Sequence, residues 1–330
     1  MKKLLKIVGY SILVILLLVI GLVSYVKLAL PNVGAAEVMK VNNSAELIER
    51  GRYLANSVTV CIDCHSTRDW TKFSGPIVEG TCGKGGETFD QKFGFPGVYY
   101  SKNITPAGIA RYTDGELYRV ITTGVTKEGK ALFPVMPYTY YGNMDPDDIQ
   151  CIIAYLRSLS PIENQVPESV SDFPMSIIIN AIPKKVVPGK KPDTANHLAY
   201  GAYLVNACGC RECHTKDNKG QIIPEMAFMG GREFPLRDGS IIRSSNLTPD
   251  PATGLGNWNE DAFISKFKSY TDSSYKPHTV ASGAMNTIMP WTMYGKMTRS
   301  DLAAIFTYFK SLPPKENKVE KFTAAGIAKK

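Results

Sequence analysis

Two short runs in this 330-residue chain carry a specific kind of chemistry. Cys61-Ile-Asp-Cys64-His65 and Cys210-Arg-Glu-Cys213-His214 each set two thiols and an imidazole at positions i, i+3 and i+4. On a helical turn those positions share one face. Two thiols so placed can be joined to the vinyl groups of one porphyrin, with the adjacent imidazole aimed at its iron. The pattern therefore reads as a c-type haem attachment site. A zinc site would need further ligands, and a thioredoxin-like pair requires neither the histidine nor a second copy. Cys61, Cys64, His65, Cys210, Cys213 and His214 are thus predicted to attach two covalently bound haem c groups.

A six-coordinate iron needs an axial ligand from the far side. Met136 and Met289 stand 71 and 75 residues after their histidines, each followed by a proline and an aromatic residue. Proline suits an irregular loop that presents a side chain. Thioether sulfur raises a haem's potential. His65, Met136, His214 and Met289 are the predicted iron ligands. No nucleophile–base arrangement or nucleotide-binding loop accompanies them, so no catalytic residue is assigned.

The elements that must position these residues repeat along the chain. Gly51-Arg-Tyr-Leu matches Gly201-Ala-Tyr-Leu, Gly85-Gly-Glu-Thr-Phe89 matches Gly230-Gly-Arg-Glu-Phe234, and Asn103-Ile-Thr-Pro106 matches Asn246-Leu-Thr-Pro249. Asp148–Pro161 matches Asp301–Pro314 in the same way. Offsets of 149 at the histidines, 143 at the asparagines and 153 at the methionines describe two copies with loop-length changes. In each final segment the apolar residues fall on one helical stripe: Ile149, Ile152, Ile153, Leu156 and Leu159, then Leu302, Ile305, Phe306, Phe309 and Leu312. Thr113-Asp-Gly-Glu116 predicts a capping box that opens a middle helix toward Gly124, and Asn259 predicts its counterpart. Six prolines between residues 160 and 196 predict an extended linker, and 315–330 reads as a basic, mobile tail.

Composition sets the class. With 44% hydrophobic and 21% charged residues the chain is globular, neither disordered nor fibrous. Four of the 38 basic side chains (Lys2, Lys3, Lys6 and Lys27) lie in residues 1–30 with no acid, leaving 34 against the 30 acids elsewhere. That excess is too small and dispersed for a nucleic-acid footprint. Ile7–Val26 is twenty residues without a charge, enough at about 1.5 Å each to cross a hydrocarbon core of roughly 30 Å. A cleaved signal peptide would have a shorter apolar region and a small-residue cleavage site. The lysines before the run place the N-terminus inside and the other 300 residues outside the cytoplasm.

With these motifs the chain resembles membrane-anchored dihaem cytochromes c of the class I type. It is most similar to the cytochrome subunits of periplasmic alcohol, aldehyde and gluconate dehydrogenases. The haem motifs, the Asn-x-Thr-Pro segments, Gly254-Leu-Gly256-Asn-Trp258, the Met-Pro pairs and the final helices carry the likeness over about residues 45–314. Those subunits usually hold three haems, and this chain has motifs for two. The resemblance implies a mainly α fold: two tandem cytochrome c domains (45–160 and 195–314) behind one N-terminal transmembrane helix (1–30). A stalk (31–44), a Pro-rich linker (161–194) and the tail complete the chain.

It further implies that Gly51 and Gly201 sit where first and last helices cross, against Tyr155 and Tyr308. Trp258 and Tyr112 fit either haem-propionate hydrogen bonds or ordinary packing. Asn103 and Asn246 either order the loop near the haem or form Asx-turns, and Arg111, Arg232 and Arg243 could pair with haem propionates but are expected to be solvated. Of the remaining cysteines, Cys82 and Cys151 could pair in an oxidising compartment, and Cys151 lies off its helix's apolar stripe. Cys208 offers a second thioether register, but the spacing from the preceding glycine favours Cys210. His197 and His278 are expected to be surface or structural residues.

The implied role is single-electron transfer at the periplasmic face of the inner membrane. The donor would be a periplasmic dehydrogenase or quinol-oxidising complex, and the acceptor a cytochrome c or terminal oxidase. Two other classes fit the motifs. One is a dihaem enzyme, either a peroxidase or a thiosulfate dehydrogenase-like protein with Cys82 or Cys151 in place of Met136. The other is the dihaem subunit of a haem–copper oxidase.

Overall fold

The computed structural model describes residues 1–326. About 40% of the chain is helical, supplemented by three small antiparallel sheets. Helix α1 (Lys2–Ala29) has no buried residue and is long and apolar enough to cross a membrane. Only Val23 and Val26, in its last two turns, are partly covered.

Two helix crossings organise the rest. Helix α2 (Ala45–Tyr53) leads into the haem-motif turn α3 (Cys61–Cys64). After strands β1 (Thr88–Phe89) and β2 (Gly97–Tyr100) come α4 (Pro106–Ile109), α5 (Asp114–Thr123), α6 (Tyr138–Tyr141) and α7 (Pro146–Ser158). Strand β3 (Val170–Ser171) and helix α8 (Met175–Ile178) interrupt the linker. The second half runs α9 (His197–Ala207), α10 (Cys210–Cys213), the hairpin of β4 (Asp217–Asn218) and β5 (Gln221–Ile222), then β6 (Glu233–Pro235) and β7 (Ile241–Arg243). It ends with α11 (Glu260–Lys268), α12 (Trp291–Tyr294), α13 (Arg299–Ser311) and β8 (Phe322–Thr323).

The pairs α2/α7 and α9/α13 make the most extensive contacts between elements. Glycine is required at each crossing. A Cβ on Gly51 would lie 1.8 Å from the Cys151 carbonyl oxygen, and one on Gly201 would lie 2.0 Å from that of Ala304. Tyr155 and Tyr308 close the same contacts, as the sequence implied. The apolar stripes then bury, with Ile149, Ile152, Ile153 and Leu156 in α7 and Leu302, Ile305, Phe306 and Phe309 in α13 in the core and Leu159 and Leu312 half-buried at the helix ends. They belong to one core cluster that spans both halves. The capping box at Thr113 and Glu116 opens α5, which ends at left-handed Gly124, and Asn259 caps α11.

One feature explains an oddity of spacing. Gly51 precedes Cys61 by ten residues, whereas Gly201 precedes Cys210 by nine. Helix α9 runs straight on, but α2 continues as a π-helical turn over Leu54–Val58 that absorbs the extra residue. The two halves re-register at equivalent hydrogen bonds. Tyr141 donates to the Thr59 carbonyl at 2.8 Å and Tyr294 to that of Cys208 at 2.9 Å. Cys208 therefore stands where Thr59 stands, one step outside the motif.

Three expectations are corrected. The linker is not extended throughout: Val170–Ser171 pairs with β2, satisfying an edge that would otherwise be open, and residues 175–181 form helical turns against α1. The tail is tied down as far as it is described, because β8 pairs with β7 and Asn317 donates to the Met229 carbonyl; residues 327–330 lie outside the described residues. Cys151 is a core residue, 4% exposed and packed at the Gly51 crossing, and it forms no disulfide with Cys82.

Candidate functional site

Each haem motif begins with a residue in the left-handed region, Val60 (φ 46°) and Gly209 (φ 62°). This reverses the chain so that α3 and α10 start afresh as single turns. His65 N donates to the Cys61 carbonyl at 3.0 Å and His214 N to that of Cys210 at 2.9 Å, closing both turns. The structure thus brings both thiols and the imidazole of each motif onto one turn. Each imidazole is then fixed from behind. His65 Nδ1 lies 2.6 Å from the Lys102 carbonyl oxygen and His214 Nδ1 lies 2.8 Å from that of Ser245. With Nδ1–H donating, Nε2 is left as the lone-pair nitrogen. Burial lowers both imidazole pKa values, against the opposing effect of these bonds, and keeps the rings neutral. Burial also pushes the Cys64 thiol up to about 12 and that of Cys213 to about 11.

The carbonyls that hold the histidines belong to residues just ahead of Asn103 and Asn246. Asn103 Oδ1 accepts from the Thr105 amide at 2.9 Å, and Asn246 Oδ1 accepts from that of Thr248 at 2.9 Å. Their amides reach forward to the Ile162 and Lys315 carbonyls. The asparagines are Asx-turn formers, and by forming those turns they also order the loop behind each histidine. Sequence reading missed Lys102 and Ser245 as partners because a backbone carbonyl leaves no residue-type signal.

Charged groups surround the turns. Asp63, inside the first motif, pairs with Arg68 at 3.0 Å with both side chains buried, and burial lifts its pKa to about 6 against the pull of Arg68. Arg68 also stacks over Trp70 at 4.0 Å. In the second motif Glu212 pairs with Arg232. Arg111 pairs with Glu128, and Arg243 with Glu233 at 2.8 Å. Arg111 is exposed, as expected, while Arg232 and Arg243 are largely covered beside their carboxylates. Tyr112 lies under Arg111 at 4.9 Å, and Trp258 is partly exposed near Lys266. His197 opens α9 at the surface, and His278 stacks on Phe73 at 5.1 Å.

The two Met-Pro loops adopt one conformation. Tyr138 N donates to the Met136 carbonyl and Trp291 N to that of Met289, both at 2.8 Å, before α6 and α12 begin. Both methionines pack against the core cluster. Each loop is braced by the opposite half. Ser74 Oγ donates to the Met289 carbonyl at 2.5 Å and accepts from Trp291 N at 3.2 Å, while Asn286 Oδ1 accepts from Ser74 N. On the other side, Tyr140 donates to Glu212 at 3.0 Å and Asn206 donates to the Tyr140 carbonyl at 2.9 Å.

Behind the loops lies a reciprocal clasp. Tyr53 of the first half donates to Asp301 of the second at 2.5 Å, and Tyr203 of the second donates to Asp148 of the first at 2.7 Å. Arg50 adds a two-pronged pair to Asp148 at 3.0 and 2.9 Å. Burial, then the facing carboxylate, raises both phenols, so they remain donors.

These residues fit a haem better than a bare metal. Among the described residues no three His, Cys, Asp or Glu side chains converge on a metal position, so two thiols and one imidazole need a group that brings its own equatorial ligands. Tyr138, two residues after Met136, is 1% exposed and its hydroxyl has no partner. An acceptor on a bound group would offset the roughly 1–3 kcal/mol that such a buried hydroxyl costs.

Residues 198–313, which run from α9 through α13 and include the second motif, match the cytochrome c family model. Over that stretch the chain is similar to a cytochrome c domain, the kind of domain that carries covalently bound haem c. The chain as a whole is a relative of dehydrogenase cytochrome c subunits. It is 31% identical over 302 residues to the cytochrome c subunit of a quinone alcohol dehydrogenase from Gluconacetobacter polyoxogenes, covering 85% of this chain and 59% of that one. It is 29% identical over 327 residues to the gluconate 2-dehydrogenase cytochrome c subunit of Pantoea cypripedii, with coverage of 94% and 67%. To a dihaem cytochrome c-type protein of Cereibacter sphaeroides it is 26% identical, covering 77% of this chain and 82% of that one. The chain spans about three fifths of the length of the first of these relatives.

Proposed function

We propose that this chain is a membrane-anchored dihaem cytochrome c that moves single electrons at the periplasmic face of the inner membrane. Its domains would be 45–160 and 195–314, with two haems attached through Cys61, Cys64, Cys210 and Cys213 and their irons held by His65 and Met136 and by His214 and Met289. The observation that carries the reading is the matched pair of motif turns, each with Nδ1 tied to a carbonyl and Nε2 left for a metal. Bound haem supplies one-electron chemistry, and the protein's part is to fix the ligands and shield the group. The relatives' names favour a dehydrogenase as donor, with a quinol-oxidising complex as the other source and a cytochrome c or terminal oxidase as acceptor.

The test is the spectrum of the reduced protein, matured with covalent haem, before and after carbon monoxide. Two haems per chain and no change on adding the gas are expected. Met136→Ala and Met289→Ala should each create one CO-binding haem and lower one potential while both haems stay attached. A single haem per chain, or two variants with unaltered potentials, would refute the assignment.

A further inference from the structure

Among the described residues that follow α1, nine large apolar side chains are exposed, and four of them (Val170, Phe173, Ile178 and Val187) fall in the linker. Phe173 is 81% exposed and Ile178 is 46% exposed. The sequence there, Phe173-Pro-Met-Ser-Ile-Ile-Ile-Asn-Ala-Ile182, is the most apolar stretch of the chain beyond α1. It does not hang free. Helix α8 and the turn after it, Ile179–Ala181, pack against α1. Val23 and Val26 are the only α1 residues with partial cover, so the contact falls on its last two turns.

That position fixes the depth of the segment. Val23 and Val26 end the uncharged run that begins at Ile7, and at about 1.5 Å per residue Val23 lies some 4–5 Å inside the outer end of that run. Side chains that touch it sit at the boundary of the hydrocarbon, where an apolar helical face beds about 5–10 Å deep. Met175 and Ile177 are half-buried, whereas Phe173 and Ile178 on the same segment stay exposed. Lys184, Lys185 and Lys190 follow at once, exposed and without an ion pair among the described residues. Lys191 pairs with Asp148, and the segment's nearest acids are Glu168 and Asp172, the latter accepting from Gln91. The balance favours an anionic surface.

We propose that residues 173–182 are a second membrane contact, an interfacial foot seated among the phospholipids of the outer leaflet and backed by lysines toward the headgroups. The inference rests on α1 being a membrane anchor. With β3 of the same linker paired to β2, the foot ties the first half of the protein to the bilayer at a second point and limits its rotation about α1.

The test uses the full-length holoprotein in nanodiscs of phosphatidylethanolamine and phosphatidylglycerol. A benzophenone side chain replaces Phe173 or Ile178, with Leu16 as the reference inside α1 and exposed Val78 as the reference outside α1 and the linker. The haem absorbance of each variant reports folding. On illumination, lipid adducts at 173 and 178 should come within about threefold of those at 16 and exceed those at 78 by at least about tenfold. Lipid adducts at 16 with none at 173 and 178, or adducts there only to another protein, would overturn the foot while leaving the anchor in place. No lipid adduct at 16 would overturn the anchor, and the foot with it.

Discussion

Adding one methyl group at Gly51 tests how the first haem motif is held in place. The Cβ of Gly51→Ala would meet the Cys151 carbonyl oxygen at 1.8 Å and Tyr155 Cβ at 2.9 Å. Backbone cannot yield as a flexible side chain can. A carbon–oxygen contact needs about 3.3 Å, so α2 and α7 must part by about 1.5 Å. A gap of even 0.5–1 Å forfeits about a quarter to a half of each dispersion contact, and Leu54, Ile152 and Ile153 all pack here with no more than 1% exposure. Overpacking of this kind costs about 1–3 kcal/mol and sometimes more, and the lost helix contacts add to it. Alanine returns about 1 kcal/mol as the better helix former. The net loss is about 3 kcal/mol, or a melting temperature lower by about 4–5 °C at roughly 2.1 cal/mol/K of unfolding entropy per residue. Thermal unfolding of the holoprotein, followed by far-ultraviolet circular dichroism and by the haem band together, measures it. Gly209→Ala is the control, since Gly209 is left-handed but has nothing within 4 Å of its Cβ position, so only about 1 kcal/mol is at stake. If Gly51→Ala melts no lower than Gly209→Ala, the close crossing does not hold the motif.

Two further outcomes follow from the bonds between the halves. Burial would raise Asp148, but Arg50 foremost, then Tyr203 and Lys191, hold it below the usual carboxylate range. A depressed carboxylate contributes stability that is present above its unfolded pKa of about 3.9 and lost as pH falls through the lower folded value. Wild type should therefore lose melting temperature more steeply than Asp148→Asn between about pH 5 and pH 3, and parallel curves would contradict the pairing. Ser74→Ala removes the brace on the Met289 carbonyl, so under the proposed ligation redox titration should show the haem assigned to Met289 shifted and the one assigned to Met136 unchanged; equal shifts in both would mean that Ser74 acts globally.

How much of this was legible in the sequence depended on whether a contact was local. The motif turns, the Thr113–Glu116 box and the two apolar stripes are set by residues within a turn or two of one another, and all formed. The Gly51 crossing was readable because a glycine and a tyrosine recur at matched places. The π turn was only hinted at, by one extra residue before Cys61. Cys151 misled because the stripe rule assumes one buried face, while the Gly51 approach buries a second side of α7. Tyr53, Tyr203, Asp148 and Asp301 lie in visibly repeated blocks, yet nothing local says that each tyrosine reaches the other half. The linker strand and the pinned tail depend on sheet edges that exist only after folding.

The clasp between the halves has the self-complementarity of a two-fold dimer, in which patch meets counterpatch twice. Here both patches are on one polypeptide, so the linker sets their effective concentration and no binding affinity is needed to keep them together. Each half is in this sense the other's obligate subunit. A fragment ending in the linker would strand Asp148 without its tyrosine and leave the Met136 loop without Asn206, so the smallest unit with both methionine loops in their native setting is the fused pair.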